Sequence, residues 1–190
     1  MSESMRAFIC IDVPDSIRSR AGDLQRRLQS IGADVSWVKP SNLHLTLKFL
    51  GHVSPERLNE ARAALERAVR SASRFEIEVG GTGCFPSARS PRVLWIGLGA
   101  VPDQLLRLHD AIESEMEAIG FQREPKPFTP HLTIGRLRSG RNAARLAQEL
   151  LAAGFEPERF TARQVILMRS DLRPAGAIYT PQAAMPLPEA

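Results

Sequence analysis

The chain has 190 residues, enough for one well-filled domain or for two half-size lobes sharing a core, and too few for two ordinary domains. With 43% hydrophobic and 24% charged residues and no apolar run near the roughly 18 residues of a membrane span, its composition is that of a soluble globular protein and excludes a membrane-spanning or disordered chain. The formal charge is +4, and Lys39, Lys48 and Lys126 are the only lysines among 25 basic residues; the remaining 22 arginines suit a phosphate-bearing partner but are scattered rather than run together.

The opening MSESMRAFICIDV has neither a basic start nor a long apolar stretch, so it is not read as a signal peptide, and a cytoplasmic location is expected. A first strand is predicted over residues 6–13. A helix follows, opened by Pro14 and Asp15, with Ile17, Ala21, Leu24, Leu28 and Ile31 on one face and Gly32 at its end. Residues 43–50 read as a second strand. Ser54 and Pro55 then supply an N-cap and a first-turn proline for a helix carrying Leu58, Ala61, Leu65 and Ala68. Strands are predicted at 75–80 and 93–98, followed by a helix whose face is Val101, Leu105, Leu108, Ile112, Met116 and Ile119. A strand at 131–137, a helix from Asn142 to Ala153 closed by Gly154, and strands at 165–169 and 177–180 complete the order. No glycine-rich loop follows the first strand, so a nucleotide-cofactor fold is unsupported and an α+β arrangement is preferred. Cys10 and Cys84 lack metal or redox spacing and are read as buried thiols.

The chain repeats itself once. LHLTLKFLG at residues 43–51 is echoed by PHLTIGRL at residues 130–137, and 87 residues separate His44 from His131. Within each copy histidine and threonine are two apart, so in a strand they leave the same face while the leucine between them leaves the other. His44 with Thr46 and His131 with Thr133 thus form two polar patches on otherwise apolar strands, as a duplicated lobe facing a shared cleft would provide. Two imidazoles suit the opening of a cyclic phosphodiester: one takes a proton from water while the other gives one to the departing sugar oxygen. Two hydroxyls can donate to the non-bridging oxygens, and the scheme requires no metal. His52 and His109 lack the pattern and are read as solvent-facing.

These paired motifs, with RAFICIDVP, NLHLTLKFLGHV, RVLWIGL, PFTPHLTIGRL and ILMRSDLRPAGAIYTP around them, resemble the two-histidine phosphoesterases, and within them the RNA 2′,3′-cyclic phosphodiesterases historically called 2′-5′ RNA ligases. The resemblance covers nearly the whole chain. It implies a single bilobal α+β domain with pseudo-twofold lobes, antiparallel-rich sheets lining a central cleft and helices outside, residues 1–4 forming a loose tail ahead of it. It further implies that His44 is the proton donor and His131 the proton acceptor, that Thr46 and Thr133 bind the phosphate, that Arg136 contacts it, and that Phe49 lines a base pocket. Strict alternation along the strands disagrees on the last two, placing Arg136 and Phe49 opposite the histidines unless Gly135 or the strand end bends the backbone. The implied partner is RNA with a 2′,3′-cyclic phosphate end, tRNA halves among the candidates, acted on by a monomer with no cofactor, no metal and no membrane, and with ATP-independent 2′-5′ ligation as the reverse reaction. Two rivals stand beside this reading: a two-histidine enzyme for small cyclic nucleotides or ADP-ribose cyclic phosphate, and a non-catalytic RNA-binding protein. A metalloenzyme ranks third, for want of an HExxH or any other ligand set.

Overall fold

A computed structural model describes residues 4–174 and 176–189, so the first three residues of the segment read as a loose tail lie outside the described residues. The first strand, β1 (Met5–Asp12), is buried from Ala7 to Ile11 because both of its faces are covered. Helix α1 (Asp15–Gln29) follows, with Pro14 itself at the N-cap and Asp15 as the first-turn acid that pairs with Arg18; no side chain caps this helix. A short strand that the apolar pattern did not reveal, β2 (Val35–Trp37), and a 3-10 turn at Pro40–Asn42 lead into β3 (His44–Val53). Helix α2 (Pro55–Val69) begins as its sequence predicts, the Ser54 side chain accepting from the backbone N–H of Arg57 at 3.3 Å and Pro55 taking the first position. The long hairpin β4 (Phe75–Ser87) and β5 (Ser90–Leu98), α3 (Asp103–Ala118), β6 (Leu132–Leu137), α4 (Ala143–Ala153), a second unforeseen strand β7 (Glu158–Ala162), and the hairpin β8 (Gln164–Arg173) and β9 (Gly176–Pro186) complete the chain.

The strands form two antiparallel sheets, a four-stranded one ordered β3-β1-β8-β9 and a five-stranded one ordered β2-β6-β5-β4-β7. Apart from the extra edge strand β2, the second order matches the first, with β6 in the place of β3, β5 of β1 and β4 of β8. The halves of the chain are interleaved. Strand β8 of the second half pairs with β1, and β4 of the first half with β5. The helices exchange as well: α2 and α3 pack on the four-stranded sheet, α1 and α4 on the side of the five-stranded one.

Both histidine strands break their alternation at the same place. Thr46 and Lys48 face consecutive residues of β1, Cys10 and Ile9, so Leu47 is an extra residue; in β6, Thr133 and Gly135 face Trp95 and Leu94, and Ile134 is extra. Each bulge turns two successive residues into the core, Leu47 with Lys48 and Ile134 with Gly135. Each is also held by a buried polar side chain from the helix of the other half. Glu113 of α3 accepts from Lys48 Nζ at 2.9 and 2.8 Å, and the same ammonium donates to the Gln122 carbonyl at 2.9 Å. Gln25 of α1 donates to the carbonyls of Val38 and Ile134 at 2.7 and 2.8 Å. Gln25 and Glu113 stand at the same step of their helices, which begin at Asp15 and Asp103. Gln25, Lys48 and Glu113 are the buried polar residues of the described chain.

Removing one member of the buried pair should therefore be far worse than removing both. Glu113→Leu is expected to cost about 3–5 kcal/mol, by stranding the Lys48 ammonium, and the double change Lys48→Met with Glu113→Leu to recover most of that loss. Gln25→Leu, which leaves the Val38 carbonyl without a donor and the Ile134 carbonyl with the Val38 N–H alone, should cost roughly 1–3 kcal/mol. Urea midpoints at constant m-value are the measurement; a double variant no better than Glu113→Leu would contradict the account.

Candidate active site

The bulges decide what faces the cleft. Up to Thr46 the strand alternates, His44 and Thr46 outward and Leu45 inward; past the bulge the phase has shifted by one, and Phe49 comes out on the histidine side, 61% exposed. Arg136 follows Thr133 outward for the same reason. The disagreement between strict alternation and the expected positions of Phe49 and Arg136 thus disappears, because alternation is not kept. Gly135 is required here: a Cβ would lie 2.8 Å from Val35 Cγ1 and 3.1 Å from the Trp37 ring.

Between the sheets lies a cavity of about 310 Å³ onto which His44, Thr46, Phe49, His131, Thr133 and Arg136 all open, so the two motifs meet at one site. Its remaining wall is mostly four-stranded sheet, and no carboxylate of the described residues lines it. Each imidazole is oriented by its own approach. His44 Nδ1 lies 2.8 Å from the carbonyl of Asn42, two residues earlier, and His131 Nδ1 lies 2.7 Å from that of Thr129, also two residues earlier. A carbonyl only accepts, so Nδ1 carries the proton and Nε2 is left for chemistry in both rings. The Asn42 turn is tied down in turn by its side chain, which donates to the Ala177 carbonyl at 2.8 Å.

Aromatic rings enclose both histidines. His44 stacks on Phe8 at 4.6 Å and meets the edge of Tyr179 at 5.3 Å; His131 meets the edge of Phe85 at 5.0 Å and lies 6.4 Å from Trp95. Gly83 makes room for that tryptophan, since a Cβ there would fall 2.1 Å from its ring. Burial pushes both imidazole pKa values below the ordinary histidine value. The remaining influences differ. At His44 the Asn42 carbonyl and the Asp12 carboxylate work upward while Arg18 and His131 work downward; at His131 the Thr129 carbonyl works upward and Arg136 downward. Asp12 faces His44 directly across β1 and β3.

Cys10 and Cys84 are buried free thiols, and burial, with Asp12 beside it, pushes Cys10 up to about 12, which leaves it unreactive. No group of three or more His, Cys, Asp and Glu side chains able to hold a metal ion occurs among the described residues. No described helix is long and apolar enough to cross a membrane. His52 is exposed, but the expectation for His109 is corrected: its ring lies flat on Phe128 at 3.9 Å, with Nε2 3.8 Å from Glu113, and its side chain is only 13% exposed. An apolar stripe on a helix predicts burial of its own face; it does not reveal that the loop leading to His131 folds back over the flank. Glu113 also accepts from the backbone N–H of Glu124 at 3.3 Å, so the Lys48 cluster anchors the loop that delivers His131. The readable clue was Lys48 itself, a lysine inside an apolar strand.

Comparison with known proteins finds close similarity over nearly the whole chain. The sequence pattern of the 2′-5′ RNA ligase superfamily matches residues 13–174. The RNA 2′,3′-cyclic phosphodiesterase of Methanothermobacter thermautotrophicus is 36% identical over 178 residues, covering 93% of this chain and 95% of the relative; that of Thermotoga maritima is 35% identical over 176 residues, covering 92% and 91%. Among solved structures, TT0787 of Thermus thermophilus superimposes with a TM-score of 0.79 at 28% identity, over 97% of this chain and 99% of that one. E. coli LigT complexed with 3′-AMP does so with 0.77 at 27%, over 97% and 99%.

Histidine titrations followed by NMR should resolve the two environments. Both imidazoles should titrate below the ordinary histidine value. Asp12→Asn removes an upward influence and should lower His44 further, whereas Arg136→Gln removes a downward one and should raise His131; the opposite sign in either variant would refute the electrostatic picture.

Proposed function

Because this chain belongs to the 2′-5′ RNA ligase superfamily, we propose that it is an RNA 2′,3′-cyclic phosphodiesterase in which His44 and His131 act as general acid and general base on one cyclic phosphate. The reading rests chiefly on one observation: two imidazoles open on a single cavity, each with Nδ1 committed to a carbonyl and Nε2 available. The neutral Nε2 of His131 takes a proton from water as it attacks phosphorus. The P–O3′ bond breaks on the opposite side, and protonated His44 gives its Nε2 proton to the departing O3′. The product is a 2′-phosphomonoester with a free 3′-hydroxyl. Thr46 and Thr133 donate to the non-bridging oxygens, and Arg136 offsets the charge that accumulates there.

The charges around the rings favour this division of roles. Asp12 supports an imidazolium at His44, with its ion-pair partner Arg18 working the other way, while at His131 no carboxylate of the described residues helps and Arg136 opposes one. Since burial leaves both rings short of protons, the anionic phosphate itself supplies the field that charges His44 as it binds. Two imidazoles perform both transfers, so the reaction runs without a metal. With the 5′-hydroxyl of a second RNA, such as the other half of a cleaved tRNA, in place of water, the same transfers join the strands through a 2′-5′ linkage without ATP.

Treating an RNA that ends in a 2′,3′-cyclic phosphate should give only the 2′-phosphate, with EDTA present or absent; a 3′-phosphate product would reverse the roles of the histidines. His44→Ala and His131→Ala should each lose about 10²–10⁴-fold in kcat/KM, and the double variant should be little worse than either, because both act on one transition state. Thr46→Ala and Thr133→Ala should cost about 2–4 kcal/mol of barrier each. The kcat/KM profile should be a bell peaking on the acid side of the ordinary histidine pKa, since both free-enzyme values are lowered and His44 must hold its proton. In the complex the phosphate raises both values, so the kcat bell should lie at higher pH.

A further inference from the structure

The cavity is lopsided. The five-stranded sheet contributes His131, Thr133 and Arg136, and the rest of the wall is almost wholly four-stranded sheet, running on past the histidine to Arg6, Ser170 and Leu172. These three share the face of Phe8: Arg6 lies two residues from Phe8 along β1, roughly 7 Å further from His44, Arg6 pairs with Ser170 across β1 and β8, and Leu172 follows two residues on. None of this belongs to the chemistry of the cyclic phosphate.

We infer that this extension is a subsite for the nucleotide upstream of the cyclic end, with Arg6 and Ser170 binding the phosphate on the 5′ side of the terminal nucleoside and Leu172 carrying the preceding base, so that the substrate is an oligonucleotide end and not a mononucleotide. The inference rests on the phosphodiesterase reading and deepens it. Charge is the first support. Arg6 is exposed, no carboxylate of the described residues pairs with it, and none lines the cavity, so its guanidinium is available to an anion. Its counterpart in the other lobe is Pro91, by the register that sets Cys10 opposite Thr46 and Trp95 opposite Thr133, so the cation is specific to this side. Shape is the second support. Leu172 is 62% exposed at the rim, a large apolar side chain continuous with the catalytic cavity, and a nucleobase has the flat apolar face that would cover it. A small cyclic nucleotide would fill the space between the histidines and leave Arg6, Ser170 and Leu172 unused.

The experiment compares adenosine 2′,3′-cyclic phosphate with a trinucleotide bearing the same cyclic end, over a range of salt. The wild type should prefer the trinucleotide by about tenfold or more in kcat/KM, as one charge-assisted contact supplies, with a salt slope steeper by roughly 0.7 for the extra phosphate. Arg6→Gln should collapse that preference ratio and the added slope together, and Leu172→Ser should reduce the ratio without changing the slope. Equal rates on both substrates, or a ratio untouched by Arg6→Gln, would overturn the subsite while leaving the phosphodiesterase standing. Fluorescence anisotropy with a labelled trinucleotide ending in a 2′-phosphate keeps the test independent of turnover. If neither cyclic substrate is opened, the enzymatic reading fails, yet Arg6→Gln must still weaken this binding about tenfold for the subsite to survive, and unchanged binding refutes it.

Discussion

A β-bulge sacrifices a rung of the ladder and leaves a backbone carbonyl or amide looking for a partner, so a buried bulge persists only where something satisfies it. Here two bulges sit one residue beyond the two His-x-Thr motifs: the Ile134 carbonyl of one accepts from Gln25 and from the Val38 N–H, and beside the other Glu113 draws the Lys48 side chain inward. The rest of the cleft depends on this. Without the phase shift, Phe49 and Arg136 would point into the core, and the cleft would lose the aromatic ring beside Thr46 and the guanidinium beside Thr133. The two lobes solve the same packing problem by different means. Where one fills the inward position with a lysine and neutralises it, the other empties it with Gly135, so that Val35 and Trp37 can close over the strand.

Interleaving makes the two solutions interdependent. Each clamp comes from a helix of the opposite half, and each sheet contains a strand from both, so neither lobe can be completed by its own half of the sequence. Elements that cross between the halves thus carry the two imidazoles to one cavity. Within a nearly symmetric frame the chemistry is then distributed unequally. Asp12, which faces His44, has Gly97 as its counterpart by strand register, and Phe49 is matched by Arg136. One lobe sets Phe49 beside its motif and a carboxylate behind its histidine; the other sets the Arg136 guanidinium at the matching position.

The aromatic enclosure has an electrostatic consequence. Phe8, Tyr179, Phe85 and Trp95 exclude water from the rings, which lowers both imidazole pKa values and makes the resting site short of protons. An anion entering such a pocket finds little competing solvent and, under the acid and base roles proposed above, restores the charge on His44. Binding and activation are then the same event, an economy open to a substrate that carries its own negative charge.

Sequence alone was enough for whatever depends on local spacing. Alternation set His44 with Thr46 and His131 with Thr133 on one face each; the apolar stripes located all four helices; Ser54 with Pro55 marked a capped start and Gly154 a helix end; and the repeated motif disclosed two lobes. It missed β2 and β7, short strands whose residues are partly exposed and carry no period. It misjudged His109, whose cover arrives from a loop far along the chain. Above all, strict alternation put Phe49 and Arg136 on the face opposite the histidines, where the resemblance and a bend near Gly135 allowed otherwise, because a bulge is a property of pairing: Leu47 is an extra residue only relative to β1, and Ile134 only relative to β5. Periodicity along one strand records which residues could share a face. Which of them do is decided by the register with the neighbouring strand and by buried partners such as Gln25 and Glu113, and those contacts exist only once the two halves have folded through each other.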